Sequence, residues 1–104
     1  MTMVELAVGW LASHLWSRGR AEQVEPAVEE QLRGLAGLVQ SKLDDDPALR
    51  SLELEAVESP TPTAGTRRRV VQAIEDAVWT DPHFGEALAA TVQRLRPVMP
   101  QPAD

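Results

Sequence analysis

"LDDDPALRSLELEAV", residues 43–57, and "VWTDPHFGEALAATV", residues 78–92, are one pattern written twice. The offset of thirty-five residues puts Asp46-Pro47 on Asp81-Pro82, Leu49 on Phe84 and Val57 on Val92. Upstream, Leu35, Val39 and Leu43 fall on Val70, Ile74 and Val78. Aliphatic residues three or four apart, broken at Asp-Pro, describe a helix, an interruption and a second helix. At such a break the acidic side chain caps the new helix. Proline suits the first position because it has no amide hydrogen to leave unbonded there. The repeated positions are those that pack a fold, and none is of a type that performs chemistry.

Working outward, Val24, Val28, Leu32, Leu35, Val39 and Leu43 predict one long amphipathic helix over residues 21–43, with Glu25, Glu29, Glu30, Arg33 and Lys42 off its stripe. Pro26 either sits in its first turn or marks its true start. Leu49, Leu52 and Ala56 face inward from a short helix after Asp46. "ESPTPTAGT", residues 58–66, reads as a loop in which Gly65 supplies a turn, and Thr66 as the cap of the fourth helix. Val70, Val71, Ile74, Ala77 and Val78 form that helix's buried face. Phe84, Leu88, Val92 and Leu95 form the stripe of the fifth, after Asp81. Pro97, Pro100 and Pro102 then end the fold.

The expected architecture is all-α: a compact bundle of about five helices, none able to bury its stripe alone. An internal pseudo-repeat of two helical hairpins is expected to pack together, closed by the N-terminal helix. Two repeat units are too few for a helical solenoid. Residues 1–96 are expected to form a single helical domain and residues 97–104 an extended Pro-rich tail, which would serve as a linker if the sequence stands within a longer protein.

That N-terminal helix is the other unusual stretch. "MVELAVGWLASHLW", residues 3–16, is apolar apart from Glu5 and a few small or polar residues. Val4, Val8, Leu11 and Leu15 make one stripe, which Leu6 and Trp10 widen and Trp16 borders. The run is shorter than the roughly 20 apolar residues that span a bilayer. Arg18 and Arg20 follow it, whereas a secretory signal places basic residues before its apolar run. Three readings of so broad an apolar surface stay open. It is a central core helix, a surface for a partner or another copy, or a helix lying on a membrane surface, which the flanking arginines and tryptophans would suit.

Composition excludes more than it assigns. About a hundred residues make one domain, and a 43% hydrophobic fraction suits a folded chain. There is no tyrosine and one phenylalanine, so the core must be aliphatic. The net charge of −6 argues against general nucleic-acid binding, which needs a basic face. The absence of cysteine excludes disulfides, thiol catalysis and Cys-based metal sites. Nothing calls for an oxidising compartment, so a cytoplasmic protein is expected.

Candidates for chemistry are thin. His14 and His83 have no second histidine three or four residues away, so neither belongs to a helical metal-binding pair. Asp44 to Asp46 lack the alternating ligands, central glycine and closing glutamate of a calcium loop, and read as the acidic approach to a capped helix. Ser13, Ser17, Ser41, Ser51 and Ser59 have no adjacent base or nucleophile-elbow glycines. "GLAG", residues 34–37, lies inside a helical pattern and not in a phosphate loop. No enzyme activity, cofactor or metal is expected.

Arg67, Arg68 and Arg69 form the most pointed charged feature. Three cations in a first helical turn oppose the helix dipole. They pair with Glu22, Glu25, Glu29, Glu30, Glu53, Glu55 or Glu58 of the acidic first half, or they dock an acidic partner surface. A phosphate or nucleic acid is a weaker option, since little aromatic support surrounds them. Complementary acidic and basic patches would also suit contact between copies. Trp79, just before the Asp81 cap, either covers a core edge or anchors an interface.

An apolar opening helix carrying tryptophan, an amphipathic helix running into "LDDDPALRSLELEAVESP", and then "RRVVQAIEDAVWTDPHFGEALAATVQRL" together resemble the helical N-terminal adaptor and oligomerisation modules of actinobacterial signalling or defence-type effector proteins. The resemblance covers nearly the whole chain and rests on paired hydrophobic helices broken at Asp46-Pro47 and Asp81-Pro82. It implies a non-enzymatic protein–protein interaction module, with no catalytic residues to carry over. Expected partners are further copies of the chain, forming a homo-oligomer, or an effector protein. The contact residues would be Trp10, Trp16, Arg67, Arg68, Arg69 and Trp79. The alternative is a small helical carrier or regulator that holds an apolar ligand in the bundle core.

Overall fold

The computed structural model describes residues 2–20, 26–59 and 61–99. Five helices follow one another: α1 (Met3–Arg20), α2 (Pro26–Lys42), α3 (Pro47–Glu55), α4 (Ala64–Thr80) and α5 (Pro82–Leu95). The expected all-α bundle is the observed one, with a radius of gyration of 12.7 Å, close to the roughly 13 Å of a compact hundred-residue domain.

α1 is the centre of the bundle. Val4, Leu6, Ala7, Val8, Trp10, Leu11, Ala12 and His14 are all buried, too wide an arc for a helix covered from one side. It packs against each of α2, α3, α4 and α5. Of the three readings of its apolar surface, this is the core helix. Thr2 starts it by accepting the Glu5 amide on Oγ1 at 3.2 Å. The Thr2…Glu5 spacing is a helix-start signature.

α2 begins at Pro26, one of the two starts the sequence allowed, and buries Leu32, Leu35, Ala36 and Val39. The upstream part of the longer helix expected over residues 21–43, Val24 included, lies outside the described residues. Gly34 and Gly37 occupy the exposed side of α2, and a Cβ at either meets nothing within 4 Å. Alanine there adds helix propensity and no clash. Gly34→Ala with Gly37→Ala is therefore expected to stabilise the chain by about 1–2 kcal/mol, read as a higher urea midpoint with unchanged slope.

Both Asp-Pro breaks behave as the pattern requires. Asp46 Oδ1 accepts the Ala48 amide at 2.8 Å, with Pro47 opening α3. Asp81 Oδ1 accepts the His83 and Phe84 amides at 3.1 and 3.3 Å, and Asp81 donates its own amide to Ala77 O at 2.8 Å. One residue thus closes α4 and opens α5. The expected pair of hairpins is not reproduced, however. α2 packs most extensively on α5, and α3 on α4, while α2 and α3 hardly touch. The two copies of the pattern interleave because the four residues 43–46 let α3 diverge, whereas Asp81 alone joins α4 to α5.

The start of α4 also corrects the sequence. Its cap is Thr63 and not Thr66, and Gly65 is helical. Thr63 Oγ1 accepts the Thr66 amide at 3.4 Å, and Glu55 at the end of α3 accepts the Thr63 amide at 2.8 Å. Glu55 also accepts the hydroxyl of Thr66, which is buried at the α3–α4 corner. These bonds, the Thr63 amide foremost, hold the Glu55 carboxyl below its usual range. At the far end, Val98 and Met99 donate their amides to Leu95 O and Met99 packs on the core, so the first residues of the expected tail are a turn against the bundle. Residues 100–104 lie outside the described residues.

Candidate functional site

The six candidate contact residues fall in different environments. Trp10 is 3% exposed, within the core. It is thereby removed from the surface, because α1 is enclosed by the other four helices. Trp16 is half-buried near the end of the same helix, beside Leu15. Arg67 is half-buried, and its guanidinium lies across α1, with Nη2 3.8 Å from where a Cβ at Gly9 would stand. Arg68 and Arg69 are exposed. Trp79 is 88% exposed, the most exposed of the large hydrophobic side chains described.

Trp79 thus lies on the surface and not at the core edge. The geometry of α4 explains this. Thr66, Val70 and Ile74 face the core, and Trp79 comes five residues after Ile74, about 140° around the helix. The same outward face carries Arg68, Arg69, Gln72, Glu75 and Asp76, all exposed. Gln72 Nε2 donates to Asp76 Oδ1 at 3.0 Å along it. Arg69 Nη2 donates to Thr66 Oγ1 at 3.2 Å, which occupies one of its five N–H donors.

The expected pairing of the arginines with the acidic first half is largely missing. Among the described residues the ion pairs are Arg33–Glu29 at 3.4 Å and Lys42–Asp81 at 2.8 Å. Arg69 lies within the electrostatic reach of Glu55. Glu22 and Glu25 lie outside the described residues. Arginines stand at the N-terminal end of α4, and Glu75 and Asp76 stand toward its C-terminal end. With α4 beginning at Ala64, Arg68 and Arg69 fall in its second turn and Glu75 and Asp76 before its last, where the helix dipole acts little on them.

Two surface depressions adjoin this framework. A groove of about 280 Å³ between α1 and α4 is lined by Glu5, Ala64, Arg67, Arg68 and Val71. A polar hollow of about 520 Å³ is lined by residues 41–47, including Asp44, Asp45 and Asp46. Both open at the surface of the bundle. Among the described residues no group of three or more His, Asp or Glu could hold a metal ion. His83 is exposed at the start of α5. No described helix is long and apolar enough to cross a membrane.

His14 is the buried ionisable group. It is 4% exposed, and its Nε2 finds no hydrogen-bond partner among the described residues. Burial first, then Arg18 and Arg33, lower its pKa below the ordinary 6.5, with Glu29 opposing. The unfolded chain therefore binds more protons than the folded one as pH falls through that value, and stability must fall with it. Urea midpoints at about pH 7.5 and about pH 5 are expected to show this loss, and His14→Leu to reduce it. Glu55 and Asp81, whose carboxyls are held low, act only below their ordinary 4.5 and 3.8.

No known protein family, curated protein or solved structure matches this chain. The outer face of α4 is accordingly assigned from its own residues. It is a continuous strip with a basic end, an acidic end and an exposed indole.

Proposed function

We propose that this chain is a non-enzymatic helical protein–protein interaction module, of the oligomerisation or adaptor kind, which joins copies or partner proteins through the outer face of α4. The observation that carries this reading is Trp79, 88% exposed at the end of a helix whose other large apolar residues are packed. An indole is expensive to leave in water and is the side chain most often found as an interface anchor. The second support is the charge order of α4's outer face, basic toward one end and acidic toward the other, which suits a complementary surface. Absence of cysteine is consistent with work in the cytoplasm.

Three tryptophans give three indole N–H signals in a ¹⁵N-labelled chain, which makes the test direct. On raising the protein concentration, the Trp79 indole and the amides of α4 are expected to shift or broaden, while the Trp10 indole stays fixed. A Trp79 signal unmoved while those of another face change would overturn the assignment of the surface.

A further inference from the structure

The outer face of α4 is self-complementary. Gly65, Gln72 and Trp79 are seven residues apart, so they lie along one seam of the helix. Arg68 and Arg69 precede Gln72 by four and three residues, and Glu75 and Asp76 follow it by three and four. The strip is therefore antisymmetric in charge about Gln72. At one end is a glycine whose Cβ position is open space, and at the other an exposed indole.

We infer that two copies of the chain pair α4 against α4 in antiparallel fashion, with the twofold axis at Gln72. This rests on the interaction-module reading and names its partner as a second copy. In that register each copy's Arg68 and Arg69 lie level with the other's Glu75 and Asp76. Each Trp79 lies level with the partner copy's residue 65, where a glycine leaves room for the ring. The α3–α4 corner also carries two exposed apolar side chains, Leu54 and Val57, 67% and 74% accessible. The contact is isologous, so it closes at two copies and leaves no sticky end for a filament. The charges form four attractive pairs across the seam, and a parallel pairing would set like against like.

A cysteine at the twofold axis tests the geometry, because the natural chain contains none. Helix axes 8–10 Å apart leave facing seam Cα atoms about 3.5–5.5 Å apart, and the wider half of that span lies within disulfide range. Gln72→Cys is expected to oxidise to a dimer of twice 11.4 kDa that thiol returns to monomer, whereas Gln93→Cys on the exposed side of α5 is not. Charge reversal supplies an independent arm. Arg68→Glu with Arg69→Glu, and separately Glu75→Arg with Asp76→Arg, are each expected to weaken self-association on the order of a hundredfold. Mixing the two restores it as a one-to-one pair. Gln72→Cys that fails to cross-link in a chain whose Trp79 signal responds to concentration overturns the antiparallel pairing and leaves the interaction surface standing. Reversed variants that stay monomeric when mixed overturn it equally. A Trp79 signal that does not respond removes the surface itself.

Discussion

Trp10→Glu is expected to unfold the chain, with loss of its helical circular dichroism. Trp10 is 3% exposed in a helix that the other four surround. Removing so large a side chain from a core costs about 3–5 kcal/mol, and an unpaired carboxylate left there adds several more. A domain of this size has on the order of 5–15 kcal/mol in all. The variant can escape only by protonating the glutamate or opening the bundle. Trp10→Phe is the matching control. The indole Nε1 finds no hydrogen-bond partner among the described residues, so the ring nitrogen contributes no bond that phenylalanine would forfeit. That exchange leaves a small cavity but no buried charge, and is expected to cost about 1–3 kcal/mol and keep the fold. A folded Trp10→Glu chain would place α1 at an interface and contradict the central position assigned to it.

Trp79→Ser is expected to do the reverse: to leave the fold intact and remove the assembly. The side chain is 88% exposed, so its loss should change stability by no more than about 0.5 kcal/mol. An anchoring tryptophan at an interface contributes about 2 kcal/mol or more, and a twofold pair loses two of them at once. About 4 kcal/mol corresponds to roughly a thousandfold weaker dimer, measurable by sedimentation equilibrium. The opposite effects of the two tryptophan substitutions separate what folds the chain from what joins it.

The residues that pack the bundle were legible because helical period and Asp-Pro caps are local signals. Val4, Val8, Leu11, Leu35, Val39, Ile74, Leu88 and Leu95 lie where the stripes put them, and Asp46 and Asp81 cap where proline follows. The start of α4 was misplaced by three residues. Thr63 and Thr66 both qualify as caps, and Glu55, reaching from α3, favours the earlier one. No window of sequence contains that contact. Pairing of the helices was equally hidden, since interleaving depends on how far α3 diverges after Leu43.

The candidate surface was half visible. Trp79 and the arginines stood out as residue types, but their common face with Gln72, Glu75 and Asp76 was not drawn. The signal was present: Trp79 lies off the stripe of Val70 and Ile74, and its seven-residue spacing to Gln72 and Gly65 can be counted. Reading Gly65 as a turn concealed it, because a residue outside the helix has no face to share.

Solution mass by light scattering, over increasing concentration, for the intact chain and for Trp79→Ser, tests the central claim most directly. The intact chain is expected to rise above 11.4 kDa toward twice that value while Trp79→Ser stays at 11.4 kDa with unchanged helicity. An intact chain that remains at 11.4 kDa at about millimolar concentration, or a Trp79→Ser chain that assembles as well as the intact one, would contradict it.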